Sequence, residues 1–114
     1  MANIFVTGAG KGIGYACVKL LSQNKDNFVF ALIRSKKDFK KFKKFTNVKV
    51  FLGDVNKKKD INAVFNFTLK NKIILNCLIN NAGMRQRKEF VKLSNKELIK
   101  VFETNLFSIF YIMQ

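Results

Sequence analysis

The feature that most constrains this chain is a glycine cluster set between a short apolar run and an amphipathic stretch. Ile4-Phe5-Val6 leads directly into Thr7-Gly8-Ala9-Gly10-Lys11-Gly12-Ile13-Gly14. A helical stripe follows, with Ile13, Ala16, Cys17, Leu20 and Leu21 at i, i+3, i+4, i+7 and i+8. The cluster satisfies TGxxxGxG. It does not satisfy GxGxxG, because the last position is Ile13 counted from Gly8 and Tyr15 counted from Gly10. Nor is it a P-loop, since no Gly-Lys-Ser/Thr follows at the required spacing. Glycines between a strand and a helix let the backbone turn tightly and bring a pyrophosphate against the N–H groups of the helix N-terminus. The helix dipole adds about 0.3–1 kcal/mol, rising to about 2 kcal/mol in partly buried geometry.

The rest of the chain repeats the same alternation. Continuous apolar runs occur at 27–33, 48–52 and 73–79, the last two each broken by one polar residue, Lys49 and Asn76. Continuous rather than alternating apolar strands predict a parallel sheet covered on both faces. Between the runs lie a lysine-rich segment, 36–44, and a second helical stripe of Ile61, Val64, Phe65 and Leu69. Ser94-Asn-Lys-Glu97 reads as a capping box, and opens a stripe of Leu98, Val101, Phe102, Asn105, Leu106, Ile109 and Met113. The pattern is βαβαβαβα. With right-handed crossovers it predicts an α/β, doubly wound parallel sheet whose four strands lie in the order 3-2-1-4. Residues 1–114 form one such unit, without repeats or linkers.

Composition removes several classes of function. With no His among 114 residues, His-based triads and His metal sites are excluded, and two Cys cannot build a four-thiolate zinc site or a disulfide framework. Cys17 and Cys77 sit in apolar stretches and are expected to be buried, reduced thiols of a cytoplasmic protein. The apolar stretch 106–113 is too short to span a bilayer, and no signal peptide opens the chain, so no membrane association is expected. The net charge is +15, and Lys36, Lys37, Lys40, Lys41, Lys43 and Lys44 interleave with Phe39, Phe42 and Phe45. That pattern fits the inward face of a short helix with solvated lysines outside it better than a nucleic-acid site, and no nucleic-acid partner is expected.

At this point the sequence resembles the short-chain dehydrogenase/reductase family, in the branch with the TGxxxGxG spacing. Gly53-Asp54-Val55 follows the third strand, Asn80-Asn81-Ala82-Gly83 matches the family's NNAG motif after the fourth, and Asn105 in Thr104-Asn105-Leu106 matches its helix asparagine. The resemblance covers essentially the whole chain. It implies a Rossmann-type fold and an oxidoreductase that interconverts a carbonyl and an alcohol by hydride transfer on a small-molecule substrate. By the same resemblance, Gly8, Lys11, Gly12, Ile13 and Gly14 hold the pyrophosphate side of a dinucleotide. Asp54 and Val55 hold its adenine, and Asn81, Ala82 and Gly83 its nicotinamide-side ribose. Asn105 would hold a water-linked proton relay supporting a catalytic Lys. Its stripe also places it on the buried face, where an unsatisfied amide costs about 1–3 kcal/mol and a partner is required.

Cofactor choice follows from charge. A carboxylate at the end of the second strand selects NAD through the ribose 2′-hydroxyl, and a nearby Arg accommodates the 2′-phosphate of NADP. That end reads Leu32-Ile33-Arg34-Ser35, with Ile33 where the acid would stand. Arg34 can fork onto a phosphate, and Lys11 in the glycine loop is a second cation, so NADP(H) is expected in preference to NAD(H). The loop 84–90, with Arg85, Arg87 and Lys88, would border the substrate and suit an anionic or polyhydroxylated one.

The family's Ser, Tyr and Lys are not assignable. Tyr111 lies on the same helix as Asn105, and the chain ends at Gln114, one residue short of a YxxxK lysine. The expectation is therefore the N-terminal, cofactor-binding part of a longer reductase, inactive by itself and homo-oligomeric (dimer or tetramer) when full length. The alternative is a non-catalytic NADP(H)-binding sensor of the same fold.

Overall fold

The computed structural model describes residues 1–114. Four parallel strands form one sheet: β1 (Asn3–Val6), β2 (Phe28–Ile33), β3 (Val48–Leu52) and β4 (Cys77–Ile79), in the order β3-β2-β1-β4. Helix α1 (Gly12–Leu21) connects β1 to β2, a 3₁₀ segment (Lys36–Phe42) connects β2 to β3, and α2 (Lys58–Lys70) connects β3 to β4. After β4 come a short 3₁₀ turn (Phe90–Lys92), α3 (Asn95–Phe102), a π turn (Glu103–Phe107) and α4 (Ser108–Met113). The strand order is the predicted one, and the architecture is that of a Rossmann-type sheet. No helix is long and apolar enough to cross a membrane.

The core is two-sided because strand side chains alternate. Ile4, Val6, Val29, Ala31 and Ile33 face α1 together with Val18 and Phe42. Phe5, Phe30 and Leu32 face the other way, against Val55, Ile61, Val64 and Ile112. β4 is shorter than the apolar run 73–79. At its start the chain pairs with Asn3 through the Asn76 side chain, whose Oδ1 accepts from the Asn3 N–H at 2.7 Å, and Asn3 Nδ2 donates to the Ile74 carbonyl at 2.8 Å. As the outermost strand β4 leaves Cys77 exposed, and Cys17 is half-buried on the flank of α1. Neither thiol is buried as expected.

Helix α2 docks on Ile61, Val64 and Phe65 of its apolar stripe, whereas the other helices dock on phases different from theirs. On α1 the buried residues are Gly14 and Val18, followed by Ser22, while Ile13 is 76% exposed and Leu20 67% exposed. On α2, Thr68 rather than Leu69 is buried beside Ile61 and Val64. After α3, Thr104, Ser108 and Ile112 are buried, whereas Leu98, Phe102, Leu106 and Met113 are exposed. Small residues let a helix approach the sheet closely, so they occupy the contact line and push large neighbours aside. Three hydroxyls are satisfied within their own helices, Ser22 Oγ donating to the Lys19 carbonyl, Thr68 Oγ1 to Phe65 and Ser108 Oγ to Thr104, whereas Thr104 Oγ1 accepts from Asn56 Nδ2 at 2.7 Å. The molecule measures 50 × 27 × 21 Å, with a radius of gyration of 15.0 Å against about 13 Å for a compact chain of this length.

The capping box forms as predicted. Ser94 Oγ accepts from the Glu97 N–H at 3.2 Å, and the Glu97 carboxylate accepts from the Ser94 N–H at 3.0 Å. Glu97 is also paired with Lys88. That hydrogen bond from Lys88, and next the backbone bond from Ser94, hold its carboxyl below the usual 4.5. A carboxyl whose folded pKa is depressed stabilises the fold above its unfolded value, and the contribution disappears as pH falls through the folded value. Carboxyl NMR titration of Glu97 should therefore give a midpoint below 4.5, and Lys88→Met should move it upward. Ser94→Ala removes a cap worth about 1 kcal/mol, so amide exchange in the first turn of α3 should accelerate about fivefold.

Candidate functional site

A parallel sheet delivers every strand's exit to one edge, and the predicted site residues lie on those exits. The loops after β1, β2, β3 and β4 carry Gly8–Gly14, Arg34, Asp54–Val55 and Asn81–Gly83 respectively.

The loops after β1 and β4, whose strands are neighbours, are tied by direct bonds. The Thr7 side chain is buried, and its Oγ1 accepts from the N–H groups of Asn81 (3.1 Å) and Ala82 (3.0 Å). In return Asn81 Nδ2 donates to the carbonyls of Gly8 (3.0 Å) and Thr7 (3.3 Å). Asn81 therefore holds the two loops together through its amide. Gly8 has φ +62°, and a Cβ there would lie 2.8 Å from the Ala82 Cα. At Gly14 a Cβ would lie 2.1 Å from the Gly8 carbonyl oxygen. Gly12 differs: its φ is +57°, yet a Cβ would meet nothing within 4 Å. Two glycines are thus required by close packing, and the third by backbone conformation facing open space.

The N-terminus of α1 has no side-chain cap and no acidic residue in its first turn, whereas α2 and α3 carry Asp60 and Glu97 there. Lys11 and Ile13 are exposed. Arg34 is exposed immediately after β2 and takes part in no ion pair. After β3, Asp54 Oδ1 accepts from the Asn56 N–H at 2.9 Å in an Asx turn, and the Asp54 N–H donates to Asp60 Oδ2 at 2.9 Å. Val55 is buried in the core beneath this turn.

Asn105 is exposed, not buried among the apolar residues of its stripe. Leu98 and Phe102, which precede it on the same stripe, are exposed as well, so this face turns outward before the π turn 103–107 begins. The required partner exists nonetheless: Asn105 Oδ1 accepts from the Met84 N–H and its Nδ2 donates to the Met84 carbonyl, both at 2.7 Å. This two-bond bracket fixes the backbone just after Gly83. A cavity of about 480 Å³ lies here, lined by Asn80, Gly83, Met84, Arg85 and Asn105 among others. The Asn80 side-chain oxygen is buried without a partner. A larger cavity, about 1020 Å³, lies between α2 and α4, lined by Phe65, Tyr111 and Ile112 among others, and not by the glycine loop.

Over residues 2–114 the chain matches the family model described as short chain dehydrogenase. The chain belongs to that family. Among curated short-chain dehydrogenase relatives, the chloroplastic chlorophyll(ide) b reductase of Oryza sativa subsp. japonica is 32% identical over 111 residues, covering 90% of this chain and 32% of that protein. A solved 4-hydroxyisoleucine dehydrogenase complexed with NADH superposes with a TM-score of 0.87 at 29% identity, covering 99% of this chain and 46% of that one. A Saccharomyces cerevisiae short-chain dehydrogenase/reductase gives a TM-score of 0.91 at 26% identity, covering 99% and 46%. The chain thus spans a third to a half of the length of these relatives.

Within this short-chain dehydrogenase site, three residues were not singled out by the sequence. Thr7 stood in the motif without an assigned part. Asp38 and Lys41, in the 3₁₀ segment, reach the glycine loop: Lys41 Nζ donates to the Gly10 carbonyl at 2.8 Å and pairs with Asp38 at 3.0 Å. Nothing in the lysine-rich run distinguishes Lys41 from its neighbours until the chain is folded. Of the three Phe expected to face inward there, Phe42 is buried and Phe45 half-buried, while Phe39 remains 37% exposed.

The packing orders the glycine substitutions. Gly14→Ala should cost more than about 3 kcal/mol, because backbone rather than a flexible side chain must move. Gly12→Ala should cost about 1 kcal/mol, from positive φ alone. Asn81→Ala should fall between them, at about 1–3 kcal/mol. Urea denaturation of the three variants checks the order.

Proposed function

We propose that residues 1–114 supply the dinucleotide-binding N-terminal portion of an NADP(H)-dependent oxidoreductase that interconverts a carbonyl and an alcohol. The observation carrying this reading is the uncapped, acid-free start of α1, reached over an open Gly12, with exposed Lys11 at its N-cap position and Arg34 exposed and without an ion pair at the exit of the neighbouring strand β2. Amide donors at a helix N-terminus suit a pyrophosphate, and a guanidinium suits the planar geometry of a 2′-phosphate. The NADH-bound relative supports a nicotinamide coenzyme as the class of ligand. When bound, the coenzyme supplies or accepts a hydride at the carbonyl carbon.

The chain's residues have the following parts in this reading. Gly8, Gly12, Ile13 and Gly14 with Lys11 hold the pyrophosphate. Arg34 binds the 2′-phosphate. Asp54 and Val55 border the adenine, with the Asx turn holding the Asp54 carboxylate in place. Ala82 and Gly83 border the nicotinamide-side ribose, kept there by the Asn81 amide. Asn105 acts on the same region by bracketing Met84. Tyr111 follows Asn105 on the helix that continues from the π turn, rather than on a helix beyond a fifth strand, and is not assigned proton transfer.

Fluorescence titration should give tighter binding of NADPH than of NADH. Arg34→Ala should weaken NADPH about tenfold or more, as loss of a charge-assisted hydrogen bond does, and leave NADH within about twofold. Equal affinities in the unmodified chain overturn the assignment of Arg34 and Lys11. Residues 1–114 alone should show no turnover of NADPH with a panel of carbonyl compounds.

A further inference from the structure

The 3₁₀ segment after β2 brings a carboxylate to the glycine loop that the strand's own end lacks. Asp38 is only 8% exposed, and a Cβ on Gly10 would lie 2.8 Å from its Oδ2. Its other oxygen is paired with Lys41 at 3.0 Å, and Lys41 Nζ also donates to the Gly10 carbonyl at 2.8 Å while standing 5.5 Å above the Tyr15 ring. Tyr15 in turn packs edge-on against Phe42, centroids 5.5 Å apart, which fastens the segment to α1. One lysine of the run is therefore held by a carboxylate, a carbonyl and an aromatic face.

Two consequences follow from the chemistry. A peptide unit is planar and trans, so holding the Gly10 carbonyl fixes the direction of the Lys11 N–H in the same plane. A lone carboxylate at this end of β2 would also favour a ribose diol and repel a 2′-phosphate. Lys41 cancels that charge.

We propose that Lys41 is a positioning and specificity-determining residue. By pinning Asp38 and the Gly10 carbonyl, it converts an otherwise NAD-selecting carboxylate into part of a neutral clamp and leaves Arg34 and Lys11 to set the preference. This rests on the coenzyme reading given above. The test is a double-mutant cycle on the whole 114-residue chain, titrated with NADPH and NADH, with circular dichroism confirming the fold of each variant. Lys41→Met should weaken NADPH on the order of tenfold, the scale of one uncompensated charge at short range, and NADH by less than about threefold. The double variant Asp38→Asn with Lys41→Met should regain most of the lost selectivity. Lys41→Arg, which keeps the charge, should stay near the unmodified ratio and serves as the informative variant if Lys41→Met does not fold.

Equal weakening of both coenzymes by Lys41→Met, or a double variant no more selective than the single one, overturns the proposal while leaving the coenzyme reading intact. A shifted NADPH/NADH ratio in Lys41→Arg overturns it likewise. Failure of the unmodified chain to bind either coenzyme overturns the underlying reading, and this inference with it.

Discussion

The interaction on which the rest depends is the seam between the loops leaving β1 and β4. Four hydrogen bonds cross it, donated by Asn81 and Ala82 and accepted by Thr7 and Gly8. Gly14 seats the start of α1 directly on the Gly8 carbonyl. Strand pairing alone brings these loops near each other, since β1 and β4 are neighbours. The seam turns that proximity into a fixed geometry in which the first turn of α1 and the segment after β4 share one rigid base. Buried donors and acceptors without partners are costly, so the two loops hold each other in place.

Charge is organised around that base rather than spread evenly. The chain carries +15 overall; Lys11 and Arg34 take part in no ion pair, while Lys41 is held by Asp38 and the Gly10 carbonyl. Most of the remaining lysines in 36–44 are exposed and add a diffuse field rather than contacts. The loop 84–90 is similarly divided: Lys88 is engaged by Glu97, and Arg85 stands on the smaller cavity.

The sheet was legible in the sequence because strands buried on both faces are continuous apolar runs, and the crossover rule leaves few orders for four of them. The helix faces were less legible. Apolar periodicity counts large side chains, but Gly14, Ser22, Thr68, Thr104 and Ser108 occupy the lines of closest approach. The hydroxyls of Ser22, Thr68 and Ser108 bond nearby carbonyls of their own helices and that of Thr104 accepts from Asn56, so these residues look polar in sequence and behave as core. Asn105 shows a second reason. The stripe it belongs to faces outward from its start, with Leu98 and Phe102 exposed ahead of it, and the amide finds its partner in Met84 rather than in the core.

By itself the sequence determined the strand order, the capping box and the placement of four motifs at one sheet edge. These follow from local chemistry: apolar runs, a Ser-x-x-Glu pair, and glycines where no side chain fits. Only the tertiary structure decided that Asn81 is a bracket, that Cys77 is exposed, and that Asp38 and Lys41 belong to the glycine loop. Those outcomes depend on which atoms meet across more than twenty residues of chain, and a lysine's meaning changes when a carbonyl and a carboxylate arrive beside it.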